Sequence, residues 1–381
     1  MSSTSGRVRL LAAALVLLLL ASLPARAIDT DPPQGTEIWL LTYGPGEVYW
    51  QRFGHNAIWV RDAGLGLDHT FNFGFFDFAQ EDFLLRFLMG RMLYFSAAQE
   101  AGVEFGQYVA ENRSIRAQRL DLAPEQQAEL VRFLLQEIRP ENRDYLYDYY
   151  ENNCSTRVRD VLDSALGGEI RESSESQPAS GNWRDHTRRL TQMDFWVYLG
   201  LESVLGRRVD KKINRWDEMF IPGVLADALA AEESLVLEER VLFESSQAPT
   251  PAEPGTVWPR YLLVSLALLF FAWFVSRWVP ATLMAGAWFA AMGVMGLAIL
   301  FLWFGTDHRV AALNMNFLVF NPLWLLFLFS KSMRSSVQLA AVLFSTLALA
   351  AALGSVQYMA DVIAAFVPLN LAAARVLQTR D

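Results

Sequence analysis

From residue 260 to the C-terminus the chain is a succession of apolar runs, at about 260–279, 281–304, 315–330, 336–354 and 360–377. Only three acids and seven bases interrupt these 122 residues. Crossing a bilayer as a helix takes roughly 20 apolar residues, and most of the runs approach that length. In lipid each backbone amide must be satisfied within the protein, which leaves such runs little choice but helix. The pattern predicts an all-α membrane domain of about five helices over 260–381. The third run is short and contains Asn321-Pro322, which predicts a kinked or re-entrant segment.

The charge lies elsewhere. Of 41 acidic residues, 38 fall between 28 and 259 against 22 Lys and Arg, a local net charge of −16. That argues against a nucleic-acid partner, whose phosphates call for a basic face. A soluble domain over 28–244 is therefore expected, joined to the membrane domain by a Pro- and Ser-rich linker over 245–259. Ahead of it, Arg7 and Arg9, the run LLAAALVLLLLASL and Ala25-Arg26-Ala27 read as a signal peptide over 1–27. With the soluble domain outside, the inward joints carry Arg277, then Lys331 and Arg334, then Arg375 and Arg380. The outward joint GTDHRVAALN balances Asp307 against Arg309. This is the positive-inside distribution, with five spans below a periplasmic or exterior domain.

Within the soluble part, TEIWLLTYG reads as a strand closed by Gly44-Pro45-Gly46. GHNAIWVRD alternates, with His55, Ala57 and Trp59 on one side. A Gly-rich turn leads to HTFNFGFF, where His69, Phe71 and Phe73 share a side. Two adjacent strands can thus each present a histidine from an otherwise apolar face. From 76 to 140 the pattern is helical: FDFAQEDFLLRFLMGRM is amphipathic, and Pro124 opens another helix. After YLYDYYENN, whose asparagines suit a helix cap, Val158, Val161, Leu162, Ala165 and Leu166 recur at helical spacing up to Gly167-Gly168.

Cys154 opens that helix and is the only cysteine of the chain. In an exported protein an unpaired thiol is a liability unless its chemistry is used. A lone cysteine is ordinarily a buried structural residue, but the flanks Asn152, Asn153, Ser155 and Thr156 argue against simple burial. At a helix start, unpaired amides and the helix dipole stabilise thiolate, and Arg157 one turn later can add positive charge. A nucleophilic thiol needs a base and a group that orients the base. Of four histidines, His55 and His69 lie on strands, His186 in the charged NWRDHTRR, and His308 on the outward membrane loop beside Asp307. One cysteine and four scattered histidines make no convincing metal set, and neither metal nor cofactor is expected.

The order strand histidine, next-strand histidine, helix-opening cysteine resembles the circularly permuted branch of the papain-like superfamily, relatives of NlpC-type peptidases and the lecithin:retinol acyltransferase group. RFGHNAIWV, LDHTFNFG and NNCSTRVRD carry it. More closely, WQRFGHNAIWV, YDYYENNCSTRVRD, FIPGVL at 220–225 and TDHRVAALNMNFLVFNPLW at 306–324 resemble the Lnb family of bacterial lipoprotein N-acyltransferases and their relatives, over nearly the whole mature chain. The resemblance implies an α+β permuted papain-like (NlpC-type) soluble domain followed by an all-α transmembrane domain. It implies Cys154 as nucleophile, His55 as general base and His69 as the orienting third member, with the reverse assignment of the two histidines left open. Asp68 is a weaker candidate for the third role, and Asn153, Arg157, Asp307 and His308 are accessory candidates.

The implied activity is a membrane-bound thiol acyltransferase of the bacterial inner membrane, with its catalytic domain in the periplasm. It would move an acyl chain from a membrane phospholipid through a Cys154 thioester to a lipoprotein or other amine acceptor. Two rivals use the same residues: a cysteine peptidase or amidase acting on peptidoglycan peptides, with water as acceptor, and a catalytically inactive sensor or scaffold. The membrane tail favours lipid over peptidoglycan, and intact Cys and His positions disfavour the scaffold.

Overall fold

The computed structural model describes residues 35–232, 234–329 and 335–378. The signal-peptide expectation, and the inward-joint residues Lys331, Arg334 and Arg380, lie outside them. The chain opens with a meander of β1 (Glu37–Tyr43), β2 (His55–Asp62) and β3 (Leu67–Phe75). A short helix, α1 (Phe83–Leu88), precedes β4 (Leu93–Glu100) and α2 (Ala101–Ala110). β5 (Ile115–Leu120), α3 (Pro124–Glu137) and β6 (Asp144–Leu146) lead to α4 (Cys154–Ala165). Then follow α5 (Glu169–Ser174), α6 (Trp183–Thr191), α7 (Phe195–Val204), α8 (Arg215–Glu218), α9 (Pro222–Ala231) and β7 (Val236–Phe243). The membrane part contains α10 (Trp258–Val275), α11 (Ala281–Phe304), α12 (Leu326–Phe329), α13 (Val337–Leu353) and α14 (Ala360–Gln378).

The strands form one antiparallel sheet in the order β6-β4-β3-β2-β1-β5-β7. Strand alternation sorts its side chains onto two faces. Leu40, Ile58, Val60 and Phe71 pack under α3, α4 and α9, against Leu134, Val158, Leu162 and Leu225. Trp39, Leu41, Ala57 and Trp59 pack on the other face, against Ala101 and Phe105 of α2. Helices thus cover both sides of an antiparallel sheet, the α+β arrangement expected. The helical reading of 76–140 is corrected by β4 and β5. LYFSAAQE has no period-two contrast because nearly all its residues are half-buried, so a strand signal was missing. The amphipathic stretch before it yields only α1, of which no residue is buried.

In the membrane part α10, α11 and α14 are long and apolar enough to cross a bilayer, and α13 is shorter at 17 residues. The 315–330 run is broken, as two 3-10 turns, Met315–Leu318 and Pro322–Leu325, followed by α12. The start of the run lies against one end of α14, and the segment leading into α13 lies against the other. Met315 N–H donates to the Gln357 side chain just before α14 (2.8 Å), and Gln378 at the far end donates to the Ser335 carbonyl (3.3 Å). Irregular backbone is tolerated at this depth only where protein groups satisfy it. Asn370 of α14 and the Trp324 indole both donate to the Val319 carbonyl, each at 3.1 Å.

Buried charge clamps the two parts together. Arg184 of α6 donates to Glu202 of α7 (3.1 Å) and to Asp210 (2.8 Å). Arg188 donates to the Tyr198 hydroxyl (2.9 Å), which donates to Asp361 in α14 (2.6 Å). Asn316, beyond α11, donates to the Glu202 carbonyl (2.7 Å). Arg184→Ala strands the Glu202 carboxylate in a dry site, a change expected to cost about 3–5 kcal/mol. Thermal unfolding in detergent checks it, with a clear drop in midpoint as the expected result.

Candidate active site

The cap of α4 determines where its first side chain goes. Asn153 Oδ1 accepts from Thr156 N–H (2.9 Å), and its amide donates to the Phe220 carbonyl (2.9 Å). Ser155 Oγ lies 2.6 Å from the Met219 carbonyl and 2.8 Å from Asn56 Oδ1. Asn56 in turn donates to the Leu41 carbonyl (3.0 Å) and the Thr42 hydroxyl (2.8 Å). The helix start is thereby tied to the start of β2, and Cys154 lines the same cavity as His55. β3 makes room for the thiol. Its register against β4 shifts between Asn72 and Phe75, and Gly74 adopts a φ of 99°. A Cβ on Gly74 would stand 3.4 Å from Cys154 Cβ, in a backbone conformation that L side chains rarely adopt.

The cavity measures about 670 Å³ and is walled largely by aromatic side chains, among them Phe76, Tyr94, Tyr147 and Tyr149. That volume falls within the roughly 300–1,000 Å³ of small-molecule sites. Leu302 of α11 and His308 and Val310 of the following loop also line it, so the cavity lies at the junction with the membrane part.

His55 Nε2 lies 2.8 Å from Asn72 Oδ1. The Asn72 amide nitrogen donates to Glu104 Oε2 (2.6 Å), which assigns the carbonyl oxygen to the imidazole side. Nε2 therefore carries the ring hydrogen, and Nδ1 keeps its lone pair. Glu104, buried on α2, also accepts from the Tyr43 hydroxyl (2.5 Å) and from Thr70. Burial pushes the Glu104 carboxyl up, while the bonds from Thr70, Tyr43 and Asn72 oppose the rise.

His55 and Cys154 keep part of their surface open to the cavity while protein surrounds them. Burial lowers the His55 pKa to about 4; the Asn72 bond acts upward and the Arg113 charge further downward. Burial pushes the Cys154 thiol up, against the backbone N–H groups of Asn56, Ser155 and Cys154 itself and the Arg113 charge, which pull it down. Burial thus favours the neutral form of each group. The dipole-stabilised thiolate read from the helix position is corrected, since desolvation outweighs the amides at the helix start.

The remaining sequence candidates separate. His69 pairs with Val60, and Ala57 pairs with Asn72. His69 is thus on the Ile58 and Val60 face, opposite His55, whose ring lies 6.0 Å from Tyr43 and 6.5 Å from Tyr108. The common-face expectation is corrected by this register: Asn72, not His69, reaches His55. Asp68 Oδ1 accepts from the Trp59 indole (2.7 Å), away from the cavity. Arg157 turns away from the thiol, donating to Glu137 (2.5 Å) with its guanidinium over Tyr145 (4.1 Å). The cation acting on Cys154 is Arg113, stacked on Tyr108 (4.5 Å) and donating to the Gly44 carbonyl (2.8 Å). Asn153 is the cap already described. His186 is buried between Glu218 (2.8 Å) and Arg189 (3.0 Å). His308 lines the cavity with Nε2 2.9 Å from the Phe87 carbonyl, whereas Asp307 pairs with Arg91 (2.6 Å) outside it.

Sequence reading missed Asn72, Glu104, Asn56 and Arg113. Two of them had a signal: Asn72 is the polar residue inside the strand FNF, and Glu104 the acid inside the apolar helix AGVEFGQYVA. Among the described residues no group of three or more His, Cys, Asp or Glu could hold a metal ion.

A cysteine-lined cavity in an α+β domain joined to helices long and apolar enough to cross a bilayer defines a membrane-anchored protein. Residues 25–191 match the family model of the Lnb N-terminal periplasmic domain, and residues 247–376 that of the Lnb transmembrane domain. The chain belongs to the Lnb family, as a multi-pass membrane protein with its N-terminal domain on the periplasmic side, and the family supports an acyltransferase type of function at the membrane. Comparison with curated proteins and with solved structures found no match.

Proposed function

We propose that the protein moves an acyl chain from a membrane phospholipid through a Cys154 thioester to an amine, the N-terminus of a bacterial lipoprotein. The observation that carries this reading is the cavity itself: it holds Cys154 and His55, is walled by aromatic side chains, and is lined by Leu302 near the periplasmic end of α11. A lipid ester at headgroup level is the acyl donor closest to such a pocket.

In this reading Sγ attacks the ester carbonyl while His55 Nδ1 takes the thiol proton. The tetrahedral intermediate collapses, the ester C–O bond breaks, and the lysophospholipid alkoxide leaves with the proton from the imidazolium. The acceptor amine then attacks the thioester carbonyl, His55 takes a proton from it, and the C–S bond breaks to leave an amide and, once reprotonated, the thiol. Asn72 orients the base and preserves its tautomer, the service an amide or carboxylate performs in related thiol and serine sites. Glu104 holds Asn72 in turn. The N–H groups of Asn56, Cys154 and Ser155 that surround the sulfur are suited to an oxyanion at the adjacent carbonyl carbon.

The pH dependence follows from the buried base. Only neutral His55 accepts the thiol proton, and its pKa is near 4, so lowering the pH removes the base only around and below that value. The acid limb of kcat/KM is expected to have its midpoint near 4, not at the roughly 6.5 of an ordinary histidine. A limb at the ordinary value would contradict a neutral buried base.

The reading is tested by incubating purified protein with a phospholipid carrying a labelled acyl chain and with a diacylated lipopeptide. Label is expected on the peptide's α-amine. Cleavage of a peptidoglycan stem peptide without acyl transfer would replace this reading with the amidase, and turnover of neither substrate would favour the scaffold.

A further inference from the structure

The leucines of α1 point outward. Leu84, Leu85 and Leu88 are 76, 56 and 48 % exposed, and Phe78 just before the helix is 67 % exposed. Clustered exposure of this kind marks a surface that something covers, and the position of α1 indicates what. Gly90, just past the helix, has a φ of 72°, and a Cβ there would stand 2.6 Å from the His308 backbone nitrogen and 2.8 Å from the Asp307 carbonyl carbon. That turn therefore sits directly on the loop that follows α11. Asp307 N–H donates to the Met89 carbonyl (2.8 Å), and Arg91 pairs with Asp307 (2.6 Å). α11 is apolar over 24 residues and ends at Phe304, itself 73 % exposed. The leucines of α1 thus lie beside the level at which α11 leaves the bilayer, while Phe76 and Phe87 of the same segment line the Cys154 cavity together with Leu302.

We infer that α1 inserts its leucine face into the outer leaflet and forms, with the His308 loop, the portal by which the acyl chain of a bilayer lipid reaches Cys154. The partner is the leaflet itself, at the boundary between headgroups and acyl chains where short amphipathic elements bury one face. The passage of an acyl chain rests on the acyl-transfer reading; the insertion does not.

Both parts can be tested on the full chain in phospholipid vesicles. In a Cys154→Ser background, which removes the only cysteine, Leu85→Cys is labelled with a fluorophore. Nitroxide lipids with shallow spin labels are expected to quench it about as strongly as the same fluorophore on Leu297→Cys of α11, and aqueous iodide weakly. Iodide quenching as strong as at Leu65→Cys, in the β2–β3 turn, without lipid quenching, would overturn the insertion. With Cys154 intact, the triple variant Leu84→Ser, Leu85→Ser, Leu88→Ser is expected to transfer acyl chains from bilayer phospholipid about tenfold more slowly, because the apolar contact with the leaflet is lost. Its rate with a water-soluble short-chain thioester donor should stay at the wild-type level. Equal losses with both donors, or none with either, would overturn the portal. Wild type that turns over neither donor defeats the acyl-transfer reading and the portal with it, and the quenching alone then upholds or overturns the insertion.

Discussion

Cys154→Ser is expected to leave the protein folded, inserted and inactive in acyl transfer. The hydroxyl is nearly isosteric with the thiol, so the helix cap at Asn153 and the tie between Ser155 and Asn56 stay in place. A hydroxyl is a far weaker nucleophile unless its base is much stronger, and His55, with a pKa near 4, is a weak one. Loss on the order of a thousandfold or more is expected, in line with nucleophile removal in other covalent enzymes. The measurement is the initial rate of labelled-chain transfer alongside the thermal midpoint. A variant that keeps both its fold and its transfer rate removes Cys154 from the chemistry.

The second large effect concerns the base and the group behind it. His55→Ala should be about as damaging as Cys154→Ser, and the double variant little worse than either, because residues acting as one unit fail together. Asn72→Ala leaves Nε2 without its carbonyl partner and frees the imidazole to rotate or change tautomer, so a fall of roughly 10- to 100-fold is expected. His69→Ala should stay within about twofold of wild type, the usual range for a change away from the reacting groups. Its ring is on the opposite face of the sheet, on the strand position paired with Val60. Rate measurements on the three variants rank them, and a larger loss at His69 than at Asn72 would return the orienting role to His69.

What could be read from sequence, and what could not, divides along a physical line. The membrane part and the helix that Cys154 opens are written in local patterns: runs of apolar residues, a cap, a 3.6-residue stripe. Alternation likewise sorts His55 from Asn56 within β2. It says nothing about how one strand registers against the next, and the β2–β3 register alone decides that His69 and His55 face opposite ways. Arg157 and Arg113 show the same limit. One is three residues from the thiol and turns to Glu137; the other, 41 residues upstream, is the cation acting on the thiol through the fold. The helix position of Cys154 was legible, but the raised thiol was not, because burial is a property of the closed cavity rather than of the segment. His308 could be placed on an outward loop, but its presence in the Cys154 cavity depends on docking of the membrane part against α1.

The most direct test of the account is the mass of the thiol-bearing peptide after the purified protein is incubated with phospholipid and no amine acceptor. An increase corresponding to one acyl chain is expected on the peptide containing Cys154, released by hydroxylamine as a thioester is, discharged when a lipopeptide amine is added, and absent from the His55→Ala protein. Transfer of chains to the lipopeptide by a protein whose Cys154 never carries the adduct would contradict it.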